Sequence, residues 1–287
     1  MPVNNSEIFI VGAKGQLGLA LQAQYPGAQN ADIDELDITK AESVDAFDWS
    51  SVKVILNAAA YTNVDGAETP EGKEAAWAVN DLAVGNLAKV AIENDLLVVH
   101  VSTAYVFDGS KEIYAETDTT NPLGVYAKSK AAGDERVLKI PKHYIVRTDS
   151  VIGDGKNFVR TMLGLAEKGI APTVVADQII RPTFTSVLTG AIKFLISESA
   201  PYGIYNVTNE GDTISWADFT RAIFKEADVK LTVTDTTLAQ YASSKPGIAP
   251  RPLFSVLDLA KIEAFGYKPH DWRDDLKTYI KKEQEQS

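Results

Sequence analysis

The sequence has no cysteine, only three histidines and no long apolar segment. Without cysteine the chain can form no disulfide, thiolate metal site or iron–sulfur cluster. The histidines stand far apart, at positions 100, 143 and 270, which argues against a histidine metal site. No apolar run approaches the roughly 18–20 residues that cross a bilayer, and the first residues do not resemble a signal peptide. We therefore expect a cytoplasmic protein with no metal and no membrane association.

Basic residues are also scarce relative to acidic ones. The chain has 28 Lys and Arg against 39 Asp and Glu, a formal net charge of −11. A net-negative protein repels a phosphate backbone, so a nucleic-acid partner is not expected. Any anionic ligand needs a locally positive pocket.

The pattern of apolar runs predicts the fold. With 287 residues, 45% of them hydrophobic, the chain can bury one large core or two modest ones. In its first half, short apolar runs alternate with helical patterns, which favours buried parallel strands in a doubly wound, Rossmann-type α/β sheet. The predicted strands cover 8–11, 53–57, 96–101 and 143–147, and the predicted helices cover 16–24, 70–93 and 125–138.

The second half is less regular and predicts a smaller mixed lobe. Its helical patterns cover 157–167, 186–197 and 216–227, and its β-type pieces cover 172–175, 203–207 and 230–234. We predict a dinucleotide-binding domain over 1–148. A lobe that mainly binds substrate should follow over 149–287, with some of its segments returning to the sheet.

A glycine loop follows the first predicted strand and opens the first helix. Gly12, Gly15 and Gly18 give the spacing G-x-x-G-x-x-G. Glycines in this context permit a tight turn and a close approach of the backbone to a pyrophosphate, which then meets the helix N-terminus. The loop predicts a dinucleotide site.

Acidic residues lie where the adenosine ribose would bind. Asp32, Asp34 and Asp37 all stand within about 20 positions of the glycines, where a carboxylate holds the ribose hydroxyls. No Lys or Arg lies between Asp32 and Ile38 to receive a 2′-phosphate, which favours NADH over NADPH. Alternatively, one of these acids caps a helix that begins near Thr39.

Two Tyr-x-x-x-Lys pairs are candidates for chemistry. Residues four apart share one helix face, and a nearby ammonium lowers the pKa of a phenol, which then suits general acid–base catalysis. Tyr126 and Lys130 follow a predicted strand that leads to Thr103, whose hydroxyl can share a substrate oxygen with the phenol. Tyr241 and Lys245 have no such strand before them, and we interpret Tyr241 as a surface or interface residue.

These motifs resemble the extended short-chain dehydrogenase/reductase superfamily and, within it, the dTDP-4-dehydrorhamnose reductase family. The similar blocks run over most of the chain: NAAAYTNVDGAE (57–68), STAYVFDG (102–109), NPLGVYAKSKAAGDE (121–135), NFVRTML (157–163), DQIIRPTF (177–184) and RPLFS (251–255). The resemblance implies reduction by NADH or NADPH of the C4 ketone of dTDP-4-dehydro-L-rhamnose to dTDP-L-rhamnose. It also implies a nucleotide-sugar substrate and a monomer, a homodimer, or a chain fused to or associated with the preceding 3,5-epimerase.

The resemblance assigns roles to individual residues. Tyr126 would donate the proton, Lys130 would bind the nicotinamide ribose and tune Tyr126, and Thr103 would hydrogen-bond the reacting oxygen. The remaining cofactor contacts would be Gly12, Gly15, Gln16, Leu17, Asp32, Asp37, Ile38, Ala59, Ala60 and Tyr61. The sugar nucleotide would meet Thr103, Ala104, Ser150, Asn157, Arg181 and Arg251, with Arg160 as a further candidate for the diphosphate.

The sequence departs from the family at three places. Ala104 replaces an Asp and Ser150 replaces a Trp, both where the family binds its sugar. A Glu associated with a Mg²⁺-bridged dimer is absent, since Leu19 and Ala20 occupy those positions. Two alternatives therefore stay open: a non-catalytic regulatory homologue similar to the β subunit of methionine adenosyltransferase, and a reductase or epimerase of another nucleotide sugar.

Overall fold

The computed structural model describes residues 3–245 and 247–286. Within them a six-stranded sheet has the order β2–β1–β3–β4–β5–β10, and all neighbours are parallel. The Rossmann-type fold class is thus confirmed. The strands of this sheet are β1 (Ile8–Val11), β2 (Gln29–Ala31), β3 (Val54–Asn57), β4 (Leu97–Thr103), β5 (His143–Thr148) and β10 (Gly203–Asn206).

Helices cover both faces of the sheet because its strands are apolar on both sides. Ile8 and Ile10 face one hydrophobic cluster, and Phe9 and Val11 face the other. Both clusters are buried, which is what continuous apolar strands require. The helices of this part of the chain are α1 (Gln16–Gln24), α2 (Ala41–Ala46), α3 (Pro70–Trp77), α4 (Ala83–Glu93), α5 (Val125–Val137) and α7 (Thr185–Ser197).

The predicted helix over 70–93 contains a π-helical turn at Ala78–Leu82, between α3 and α4. Asn80 in this turn donates to Ser129 Oγ and to Tyr61 O, and it accepts from Tyr61 N. Its carbonyl packs on Gly133, where a Cβ would lie only 2.1 Å from Asn80 O. The turn therefore fixes α5, the helix of the Tyr126–Lys130 pair, against the sheet.

The second lobe has its own core, built around Val159, Phe219 and Trp272. Its strands pair in twos: β6 with β9 and β7 with β12 in parallel, and β8 with β11 antiparallel. The boundary near residue 148 stays a prediction. The elements are β6 (Val151–Ile152), α6 (Phe158–Glu167), β7 (Thr173–Val175), β8 (Ile179–Ile180), β9 (Thr183–Phe184), β11 (Ile214–Ser215), α8 (Trp216–Glu226), β12 (Thr234–Thr236), α9 (Leu238–Ser244), α10 (Ala260–Ala264) and α11 (Trp272–Gln286).

Two details of the predicted elements are wrong. The β-type piece over 230–234 has no strand before Thr234, because the pairing with β7 begins there and runs on to Thr236. Strand β2 was not predicted, since Gln29–Ala31 is short and polar. No helix in the described ranges is long and apolar enough to cross a membrane.

Candidate active site

The site lies at the carboxyl edge of the sheet, where the chain order reverses. From β1 the chain moves to β2 on one side and then returns to β3 on the other, and ligands of doubly wound sheets bind in the crevice at this point. Two adjoining cavities of about 420 and 460 Å³ occupy the crevice, and Gly15, Ala58 and Ala60 border both. Together they form one cleft from Asp32 to Tyr126.

The glycine loop forms the floor of this cleft. Gly12 has φ +79°, and a Cβ there would lie 2.6 Å from Ala59 N. A Cβ on Gly18 would lie 2.1 Å from Gly12 O, so only glycine lets α1 start this close to β1. The N-cap Gly15 supplies no side-chain cap, which leaves the first amides of α1 for an anion. The loop fits a dinucleotide pyrophosphate.

The acidic residues lie at the far end of the cleft, beyond β2. Asp32 Oδ2 accepts from Lys14 N at 2.8 Å, and its Oδ1 accepts from Ile33 N. A carboxylate has about four acceptor positions, so Asp32 keeps capacity for ribose hydroxyls. Lys14 Nζ is paired with Asp34 at 2.7 Å and lies 3.4 Å from Glu35.

The structure separates the predicted cofactor contacts into residues that line the cleft and a residue that lies outside its lining. Tyr61 lies outside the cleft lining: its amide bonds Asn80, and its hydroxyl lies beside Gly66 and Gly72. The Asp37 side chain accepts hydrogen bonds from Thr39 N and Thr39 Oγ1. It does not cap a helix, because α2 begins only at Ala41. The residues that line the cleft are Gly12, Gly15, Gln16, Leu17, Asp32, Asp37, Ile38, Ala59, Ala60, Tyr126 and Lys130.

Tyr126 and Thr103 meet in the second cavity. Tyr126 stands in the first turn of α5, and Thr103 ends β4. Burial raises the pKa of Tyr126 to about 12, and contact with the Thr103 hydroxyl opposes that rise. The phenol is therefore neutral and able to donate a proton to an oxygen placed between the two hydroxyls.

That Lys130 lowers the pKa of Tyr126 stays a prediction, and the hydrogen-bond partners of Lys130 lie on β4 rather than at the phenol. Lys130 is 1% exposed, and its Nζ donates to Val101 O at 2.8 Å and lies 3.2 Å from His100 Nε2. Burial lowers the pKa of Lys130 to about 8, while Asp134 opposes that fall. The ammonium is thus directed into the protein, and Tyr126 keeps its raised pKa.

The sequence analysis missed several residues of the second cavity. Tyr105, Lys156 and Trp216 line it beside Tyr126. Tyr105 lies two residues after Thr103, but Trp216 comes from the start of α8 and Lys156 from the loop before α6. Gln16 connects that loop to the glycine loop, donating to Lys156 O and accepting from Gly153 N. No sequence signal links residues so far apart.

The predicted sugar contacts near β5 differ in placement. Ser150 lines the cavity, with φ +46° and its hydroxyl on Asp149. Asn157 also lines it, although its side chain caps α6 by accepting from Arg160 N. Ala104 is fully buried in a cluster with Val106 and Phe107, so its side chain contributes packing rather than cavity surface.

The three candidate arginines have different partners. Arg160 forms a bidentate pair with Glu283 and also bonds Asp154, which makes it structural. Arg181 donates to Leu257 O outside the cavity lining. Arg251 pairs with Asp65 at 2.8 Å, and its charge acts on Tyr105 in the cavity wall. Of the three, Arg251 is the one whose charge acts on a residue of the cavity wall.

The other Tyr-x-x-x-Lys pair does not line the cleft, although its charges act on the Arg251–Asp65 pair. Lys245 is exposed, donates to Tyr241 OH at 3.2 Å and stands 4.5 Å from the centre of its ring. Among the described residues no group of three or more His, Asp or Glu side chains is arranged to hold a metal ion. That a metal is not needed stays a prediction.

Comparison with known proteins places this geometry in a family. A family model described as "RmlD substrate binding domain" matches residues 6–285. The chain is 41% identical to a dTDP-4-dehydrorhamnose reductase of Aggregatibacter actinomycetemcomitans, over 95% of this chain and 97% of that protein. A dTDP-4-dehydrorhamnose reductase structure from Clostridium acetobutylicum aligns with TM-score 0.89 and 36% identity, covering 96% and 99% of the two chains. Another, from Bacillus anthracis in complex with NADP, aligns with TM-score 0.88 and 32% identity, covering 96% and 98%.

Proposed function

The chain belongs to the RmlD substrate binding domain family, that of the dTDP-4-dehydrorhamnose reductases, and we propose that it reduces dTDP-4-dehydro-L-rhamnose to dTDP-L-rhamnose. One observation carries the proposal. Tyr126, Lys130 and Thr103 line the same cleft as the glycine loop, so a dinucleotide and a carbonyl can meet there. The Bacillus anthracis relative was solved with NADP, which supports a nicotinamide dinucleotide for this chain.

The side chains of the cleft suit ketone reduction. When bound, the reduced dinucleotide supplies a hydride to C4. The carbonyl oxygen gains negative charge as the hydride arrives, and Thr103 and Tyr126 both offer hydroxyl hydrogen bonds to it. Tyr126 then gives its proton to that oxygen and becomes a phenolate, which takes a proton back before the next turnover.

We propose a preference for NADH. The adenosine end of the cleft carries Asp32, and Asp34 and Glu35 neutralise Lys14, the basic residue nearest to it. A 2′-phosphate would have to displace Lys14 from these carboxylates, whereas the ribose hydroxyls of NADH can donate to Asp32.

The sugar site differs from the family pattern in its surface. Ser150 offers a hydroxyl where the family has an indole, and Tyr105 and Trp216 supply aromatic surface in the same cavity. Both rings can pack against a sugar or base. Arg251 is the proposed contact for the diphosphate, and the proposed location is the cytoplasm, where activated sugars and reduced dinucleotides are available.

The test is the oxidation of NADH or NADPH, followed at 340 nm, with purified protein and dTDP-4-dehydro-L-rhamnose generated in place. The expected result is oxidation that depends on the sugar, with the higher kcat/KM for NADH. Dinucleotide binding without oxidation would overturn the reductase assignment in favour of a regulatory homologue. Oxidation only with a different nucleotide sugar would overturn the choice of substrate.

A further inference from the structure

A buried row of polar side chains connects β3 with α5, the helix of Tyr126 and Lys130. Asn57 ends β3, His100 lies on β4 and Lys130 lies on α5. Asn57 Nδ2 lies 3.0 Å from His100 Nδ1, and Lys130 Nζ lies 3.2 Å from His100 Nε2. All three side chains are buried, with His100 0% exposed. Solvent therefore cannot relieve a mismatch of donors and acceptors among them.

The orientation of the Asn57 amide is fixed by the backbone. Asn57 Oδ1 accepts from Ala59 N at 3.1 Å, so Nδ2 must face His100. An amide nitrogen only donates, so His100 Nδ1 must accept and carry no proton. Burial, the main cause, holds the pKa of His100 well below its usual value, so the ring is neutral. Its single proton then lies on Nε2 and faces Lys130.

A protonated Lys130 would present a second donor to this N–H. The neutral amine has a lone pair and can accept the N–H while it still donates to Val101 O. We propose that Asn57 and His100 are positioning residues for Lys130: Asn57 fixes the imidazole tautomer, and the imidazole N–H favours the neutral form of the Lys130 amine.

The other charged groups around Asn57, His100 and Lys130 do not cancel the effect of the imidazole N–H on the Lys130 amine. Asp134, one turn further along α5, favours the charged amine, but its Oδ1 lies 3.8 Å from His100 Nε2, too far for a hydrogen bond. Arg147 on β5 lies 3.5 Å from Asp134 and offsets its charge. Tyr126, on α5 itself, is neutral and adds no charge.

The consequence for catalysis concerns the returning proton. A buried lysine with a lowered pKa releases its ammonium proton near neutral pH and regains one from water, which suits a group that restores the proton of the Tyr126 phenolate. This consequence rests on the proposed reductase function. The tautomer and the titration of Lys130 can both be measured without any sugar, so the two proposals fail separately.

The experiment uses ¹⁵N-histidine NMR of the full chain, which has only three histidines. We expect His100 to carry its proton on Nε2. His143 serves as the internal reference with the opposite tautomer, because its Nδ1 lies 2.6 Å from Ile140 O and must donate. In Asn57→Asp, a carboxylate accepts from Nδ1 and the His100 tautomer should reverse. A wild-type His100 protonated on Nδ1 would overturn the proposal, even if the variant does not fold.

A second measurement follows the titration of Lys130 by ¹³C-lysine NMR, with its signal assigned from the spectrum of Lys130→Met. In His100→Gln the amide oxygen can turn to Lys130 without adding charge, so Lys130 should titrate about one pH unit higher, a tenfold gain in proton affinity. His143→Gln, on the neighbouring strand, should leave the titration unchanged. An unchanged or lower value in His100→Gln would overturn the proposal.

Discussion

The chain contains the same Tyr-x-x-x-Lys spacing in two places, and the two pairs are opposites in structure. Tyr241 lies on α9, and the exposed Lys245, the residue that ends this helix, lies 3.2 Å from its hydroxyl. On α5, Lys130 is buried and turned toward His100, and burial raises the pKa of Tyr126 to about 12. The pair with the direct Tyr–Lys contact thus lies outside the lining of the cleft. Spacing places two groups on one face, but burial and the neighbouring strands decide what they can do.

The largest expected difference between the pairs is in turnover. Tyr126→Phe removes the proposed proton donor and should lower kcat by about 10²–10⁴-fold, the usual worth of a general acid. Tyr241→Phe is the matched control and should lower kcat far less than Tyr126→Phe, because Tyr241 acts on Arg251 and not on the reacting oxygen. Steady-state rates and dinucleotide binding, measured for both variants, check this. Equal losses in the two variants would show that the pairs do not differ as described.

Lys130 and Lys245 should differ in how they affect the pH dependence of the free energy of unfolding. The pKa of Lys130 falls from 10.5 to about 8 on folding, so charging it in the folded state costs up to roughly 3 kcal/mol. Below pH 8 this cost is fully present. As the pH rises from about 8 to 10.5, Lys130 stays protonated only in the unfolded chain, so the free energy of unfolding of the wild type increases.

Replacing Lys130 removes this dependence. The free energy of unfolding of Lys130→Met, relative to wild type, should therefore be most favourable at pH 7 and should decline toward pH 10. Lys245→Met, at an exposed position, should show no such trend. Denaturant unfolding at several pH values measures both, and parallel curves for wild type and Lys130→Met would refute the buried-charge account.

The smallest expected effect concerns the adenosine end of the cleft, where the charged side chains are exposed, as Lys245 is. Asp34→Asn removes the partner of Lys14 at 2.7 Å, leaving Glu35 at 3.4 Å, and should lower the KM for NADPH about two- to fivefold, as fits a surface pair. The KM for NADH should stay constant. Asp45→Asn, which breaks a similar exposed pair with Lys89 outside the cleft, is the control. Added salt should weaken the effect.

Much of the fold could be predicted because its strands are buried on both faces. Ile8–Val11 and the first three residues of Leu97–Thr103 read as continuous apolar runs, which are typical of central parallel strands. The π-turn at Ala78–Leu82 could not be predicted, since its residues fit an ordinary helix and only the packing of Asn80 on Gly133 requires it.

The site was predicted where local sequence carries the chemistry. The glycine loop and the Tyr126–Lys130 helix both lie within a few consecutive residues, and both line the cleft. The direction of the Lys130 side chain was not predicted, because it depends on His100 from another strand. Arg181 and Arg251 look alike in sequence, and only tertiary contacts separate them.

The central claim is that this cleft transfers hydride to C4 of the sugar. The most direct measurement supplies NADH with deuterium at both C4 positions of the nicotinamide and analyses the product by NMR and mass spectrometry. Direct hydride transfer to C4 should give dTDP-L-rhamnose with one deuterium, bonded to C4 of the sugar. A product without deuterium, or with deuterium at another carbon, would contradict it.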